Sequence, residues 1–98
     1  MARIGKDELA RLQALDAKII LLKFADHAKL DPTFSPISSK HTSRWHARAG
    51  NREFELLLNG PKFFDTRQKR GGGGGIDLVM HLFEIDFKQA VERLRALG

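Results

Sequence analysis

The chain has 98 residues, a mass of 11.1 kDa and no cysteine, which leaves room for one small domain spanning residues 1–98 and excludes disulfides, thiolate zinc sites and cysteine nucleophiles. With 42% apolar and 30% charged residues it can enclose a thin core in a well-solvated surface. The formal net charge is +5 and the pI is near 10.0, with eight Lys/Arg against four acids concentrated in residues 31–75.

Met1 to Lys6 lacks the apolar stretch of a signal peptide, and the longest unbroken apolar run, Ile19 to Leu22, is far too short to span a membrane. A soluble, cytoplasmic protein with no membrane partner is expected. From Asp7 to Leu30, the apolar residues Leu9, Leu12, Leu15, Ile19, Leu22 and Ala25 recur at helical spacing, with a break allowed near Leu15-Asp16. The N-terminal helical segment therefore covers residues 1–30, and His27 falls near a helix end, where it can interact with the dipole. Pro32 stops the helix. Asp31 to Ser43 is a polar loop by composition.

Three strands follow. Arg44 to Arg48 alternates, Ala49-Gly50-Asn51 turns the chain, and Glu53 to Leu58 puts Phe54, Leu56 and Leu58 on one face. Asn59-Gly60 signals a hairpin because both residues tolerate positive φ, and Lys62 to Thr66 completes an antiparallel meander. Five glycines, Gly71 to Gly75, lead into a helix bearing Ile76, Val79, Met80 and Phe83 on one stripe. A break near Glu84-Ile85 precedes a last helix, for which Asp86 and Gln89 form a capping-box pattern. The fold class is α+β: a helix, a three-stranded antiparallel sheet and two C-terminal helices.

Lys40, His41, Arg44, His46, Arg48 and Arg52 form a basic or titratable run with no acid between them. Such a run is either a solvated face or a surface that meets phosphates. The glycine run, preceded by Arg67, Lys69 and Arg70, is either a structural turn or a loop whose N–H groups face a phosphate backbone. It is neither a Walker A loop nor a Gly-x-Gly-x-x-Gly motif. Trp45 has two possible places: a stacking platform for an unpaired base, or the core, which a small domain with a single Trp favours. Phe64 is a second stacking candidate. Glu53 and Glu55 read as a solvated ladder, and His81 as an ordinary boundary residue. No catalytic set is present, and no cofactor is called for. A metal-dependent alternative would draw on His41, His46 and Asp65.

The hairpin ending in Phe63-Phe64, the glycine run into Ile76-Asp77-Leu78, and the Phe87/Ala90/Val91/Leu94 ending together resemble the zinc-binding domain of bacterial DNA primases. They are closer still to its cysteine-poor relatives at the front of primase-like TOPRIM proteins of plasmids, phages and integrative elements. The resemblance covers Arg44 to Leu97. It implies a zinc-ribbon-like core over residues 44–98 that stands without zinc, since no thiolate is present. It also implies a pair between Arg44 and Asp65 where ligands would have faced each other. In function it implies a reader of single-stranded template that assists a primase catalytic domain, polymerase or helicase and does not polymerise alone. Arg44, Trp45, His46, Arg48 and Lys62 would face the nucleic acid, and Arg67, Lys69 and Arg70 would hold phosphates. The alternative is a protein–protein adaptor docking through the apolar segment Ile76 to Phe87 and the C-terminal helix.

Overall fold

A computed structural model describes residues 4–34 and 41–97. Helices α1 (Lys6–Gln13) and α2 (Ala17–Phe24) come first, followed by strands β1 (His27–Leu30), β2 (Ser43–Ala49), β3 (Arg52–Asn59), β4 (Lys62–Asp65) and β5 (Arg70–Gly72), then helices α3 (Gly75–Phe83) and α4 (Phe87–Arg95). The strands form one antiparallel sheet in the order β1-β2-β3-β4-β5. The fold is α+β. The expected meander is its centre, and a further strand is added at each edge.

The first edge strand replaces the end of the expected helix. Asp16 caps α2, its carboxylate accepting from the Lys18 N–H at 2.8 Å, which fixes the break after Leu15. The chain leaves α2 at Ala25, and the Asp26 N–H reaches the Arg48 carbonyl. Pairing then runs from His27↔Arg48 to Leu30↔Trp45, with Asp26 Oδ2 accepting from the Gly50 N–H. His27 thus opens a strand, two residues beyond the α2 C-cap Ala25. Pairing with β2 overrides the helical preference of Ala and Lys. Residues 35–40 of the expected polar loop lie outside the described residues.

The sequence signals inside the meander hold with one shift. Asn59 is the last residue of β3, and the two-residue loop is Gly60-Pro61, with Gly60 at φ 57°. Gly50 provides positive φ at the other hairpin. Alternation sends Trp45, Ala47, Ala49, Phe54, Leu56, Leu58 and Phe63 to one side. There they meet Leu12, Ile20, Leu21, Ile76, Val79, Leu82, Val91 and Leu94 from the helices in one buried cluster. The helices cover this inner face, and the outer face is open to solvent. The capping box at α4 is formed as expected, Asp86 and Gln89 each bonding the other's backbone N–H. Among the described residues no helix is long and apolar enough to cross a membrane.

The glycine run is explained by close approach. A Cβ on Gly71 would stand 2.6 Å from the Phe63 carbonyl oxygen, and one on Gly75 would stand 2.5 Å from the Leu12 carbonyl oxygen and 2.6 Å from Ile20 Cδ1. Gly73 has open space around its Cβ position. Gly75→Ala is expected to lower stability by about 1–3 kcal/mol through overpacking. Gly73→Ala should change it by less than about 1 kcal/mol. Chemical-denaturation midpoints of the two variants check the contrast.

Candidate nucleic-acid interface

The outer face of the sheet collects the alternate residues of each strand. β2 contributes Arg44, His46 and Arg48, β3 contributes Glu53, Glu55 and Leu57, and β4 contributes Lys62 and Phe64. Lys29 of β1 pairs in register with His46 and adds a cation beside it. Glu55 is the hub: it meets His46 Nδ1 at 2.8 Å, Arg44 at 3.6 Å and Arg67 at 3.6 Å. Glu53 meets His46 Nε2 at 3.3 Å and Arg48 at 3.9 Å. These exposed pairs contribute little stability individually, roughly 0–1 kcal/mol each, and they set cations and carboxylates side by side across the face. The Glu55 hydrogen bond, supported by Glu53, raises the His46 pKa above its ordinary value against the opposing effect of partial desolvation.

Beside this array lies an apolar step. Phe64 is 42% exposed and stands opposite Leu57 across the β3–β4 ladder. At the other end, Lys29, Asp31, Pro32, Arg44 and His46 border a shallow recess of about 350 Å³. Lysines 29 and 62 have no carboxylate partner among the described residues, so the face as a whole keeps a positive excess over Glu53 and Glu55.

Arg44, His46, Arg48, Lys62 and Arg67 are therefore brought together as expected. Trp45 is not. It is only 7% exposed, faces the helices, and donates its indole N–H to Ser43 Oγ at 2.9 Å, so its ring cannot stack on a base. Phe64 is the ring that reaches solvent. Arg70 is also separated, because it pairs in register with Asp65 on the inner side. Lys69 stands on the exposed turn between β4 and β5 at φ 56°. The glycine loop does not offer a helix N-terminus to phosphate: Gln13 of α1 occupies it, its Oε1 accepting from the Ile76 N–H at 2.9 Å while its Nε2 donates to Asp77 at 3.3 Å.

The expected Arg44–Asp65 pair is absent, since the two residues lie on opposite faces. Asp65 is 1% exposed and meets His81 Nε2 at 2.7 Å, while its Oδ1 accepts from the backbone N–H groups of Arg67 and Gln68. Burial pushes its pKa up, but the Gln68 N–H, His81 and the Arg67 N–H together hold the carboxyl below its ordinary value. His81, read from the sequence as a boundary residue, is the buried partner of this acid, and its ring lies between Phe54 and Phe63. A metal centre on His41, His46 and Asp65 is ruled out by the same sidedness. Among the described residues no group of His, Asp or Glu could hold a metal ion. Within Ile76 to Phe87, Ile76, Leu78, Val79 and Leu82 are at most 1% exposed, while Phe87 at the start of α4 is 42% exposed. Phe83 is covered by Phe24 and by the Arg93 guanidinium. Most of the apolar surface behind the adaptor reading is thus buried, and Phe87 is its exposed part.

The sequence reading missed Lys29, hidden in what looked like a helix, and the partnership of His81 with Asp65. Nothing in the local sequence signals the second.

No family model matches the chain, and no solved structure matches it. A stretch of 41 residues is 42% identical to part of the 65 kDa protein of Zymomonas mobilis subsp. mobilis. The stretch is 42% of this chain and 7% of that protein's length.

Asp65→Ala is expected to lower stability by about 3–5 kcal/mol, because it leaves His81 and two backbone N–H groups without their acceptor. Arg44→Ala, at an exposed pair, should cost no more than about 1 kcal/mol. Because the folded pKa of Asp65 is depressed, its contribution is present above the unfolded value of about 3.9 and is lost as pH falls through the folded value. Thermal unfolding of both variants across the acid range checks magnitude and sign together.

Proposed function

We propose that the open face of the sheet binds single-stranded nucleic acid, with Arg44, Arg48, Lys62, Arg67 and Lys29 on phosphates and Phe64 stacking on a base. The observation that carries this reading is an exposed ring set in an array of cations on a sheet face that no helix covers. Flat sheet faces with a projecting aromatic suit unpaired bases, because every base has a π-face and a strand can splay over the surface. A duplex presents its bases only through grooves, which a flat face does not enter. Glu53 and Glu55 compete with phosphate for the arginines, so affinity is moderate and binding favours protonation of His46, which offsets the carboxylates.

In this reading the chain is a template-reading module that works beside a primase catalytic domain, polymerase or helicase, and the chemistry belongs to that partner. What supports this part is the sequence resemblance of Arg44 to Leu97 to the primase zinc-binding domain.

Fluorescence anisotropy of a labelled single-stranded oligonucleotide tests the proposal. Five phosphate contacts at about 0.7 each give an expected slope of log affinity against log salt near −3.5. Combining Arg44→Ala, Arg48→Ala and Arg67→Ala should flatten that slope. Phe64→Ala should weaken binding about tenfold at every salt concentration through lost stacking. An unchanged slope and affinity in these variants would remove the face from consideration.

A pH series adds an independent check. The raised pKa of His46 means that its cationic form, and the stability that form contributes, is fully present below about 6.5 and is lost as pH rises through the higher folded value. Lys29, Arg44 and Arg48 surround His46 with Glu53 and Glu55, so protonation turns a near-balanced centre positive. Affinity for the oligonucleotide is expected to rise as pH falls from 8 to about 6, and His46→Gln should be flat over that range.

A further inference from the structure

A second concavity lies on the helix side of the sheet, where β5 meets α3. It measures about 570 Å³, within the range of about 300–1,000 Å³ typical of small-ligand sites. The groups at its edges differ in how they are engaged. Arg52 is committed: its guanidinium lies over Phe54 at 4.9 Å, donates to the His81 carbonyl at 3.3 Å and faces Glu84 at 3.5 Å. Asp77 is held by Gln13. Arg70 is exposed and has no partner among the described residues. It is thus the cation available to an incoming anion.

His81 supplies the complementary signal. Its side chain is 9% exposed, and Nε2 is taken by Asp65. The Asp65 carboxylate is an acceptor, so Nε2 carries the hydrogen and Nδ1 is the ring's remaining polar atom. That Nδ1 has no partner among the described residues, and His81 lines the cleft. Phe63, Met80 and Ile85 provide apolar wall around it. Gly72 keeps the inner end clear, since a Cβ there would stand 2.7 Å from Asp77 Cβ and 2.8 Å from Phe63 Cε1. A ligand matched to these groups has a flat ring with a polar edge and an anionic group beside it. A nucleotide has both.

We infer that the cleft between β5 and α3 binds a nucleotide, its phosphate on Arg70 and its base along Phe63, Met80 and Ile85 with a polar edge toward His81. The assignment does not rest on the outer-face proposal, because Phe63, Arg70 and His81 all lie on the helix side of the sheet. The same chemistry fits a free nucleotide and the phosphorylated end of a strand.

The test is an NMR titration of the full chain, labelled on backbone nitrogen and methionine methyl, with adenosine 5′-monophosphate, cytidine 5′-monophosphate, adenosine alone and inorganic phosphate alone. The chain has only two methionines, so the Met80 methyl is read directly. Shifts are expected at Gly71, Gly72 and Met80. The adenine nucleotide should bind about tenfold more tightly than either adenosine or phosphate. Arg70→Ala should weaken the nucleotide about tenfold, the usual scale of one charge-assisted contact, and leave adenosine unchanged. The combined Arg44, Arg48 and Arg67 variant should bind the nucleotide as the parent does, which separates this site from the outer face. No shifts at the cleft, or phosphate alone matching the nucleotide, overturns the assignment. A 5′-phosphorylated tetranucleotide tells the two sources apart: tighter binding than the mononucleotide assigns a strand end, and weaker binding assigns a free nucleotide.

Discussion

The buried pair of Asp65 and His81 sets the arrangement of everything around it. Asp65 is the one charged side chain among the described residues that the core encloses, and a carboxylate in that position is tolerable only if each oxygen is satisfied. One oxygen faces His81 on α3, and the other gathers two N–H groups of the turn after β4. A single side chain thus ties the last hairpin of the sheet to the helix that packs across it. The glycines complete the constraint: α3 begins so close to α1 and α2 that Gly75 has no room for a side chain. With α3 fixed, the inner face of the sheet is closed, and the outer face is left to solvent.

Sidedness is what turns a basic sequence into two different surfaces. Arg67 and Arg70 are three residues apart, yet one meets Glu55 on the outer face and the other looks into the cleft beside His81. On the outer face, carboxylates on β3 stand between cations from β2 and the β4–β5 turn. In the proposed role this limits affinity, because a phosphate on Arg44, Arg48 or Arg67 must displace a carboxylate.

Much of this was legible in the sequence where a strict local period applied. Alternation in Arg44 to Arg48 and Glu53 to Leu58 gave the central strands and, with them, which cations share a face. The Asp86/Gln89 box marked the start of α4. Trp45 was assignable to the core by the same alternation, since Ala47 and Ala49 accompany it there. The edges were not legible. His27 to Leu30 and Arg70 to Gly72 have poor strand propensity, and they are strands because β2 and β4 offer them an unpaired edge. Nor could the sequence show that Asp65 and His81 meet, since that contact depends on how α3 crosses the sheet. The expected pairing of Asp65 with Arg44 failed because it joined residues of opposite parity across the ladder, which register forbids.

The claim at the centre of this account is that the open sheet face is where a single strand lies. Photocross-linking with an oligonucleotide carrying 4-thiothymidine, followed by mass mapping of the attached peptides, tests it most directly. The account requires cross-links in the segment from Lys62 to Arg67, with Phe64 as the principal site, and secondary ones in β2. Cross-links that map instead to α2 or α4, or a chain that captures no oligonucleotide at low salt, would contradict it.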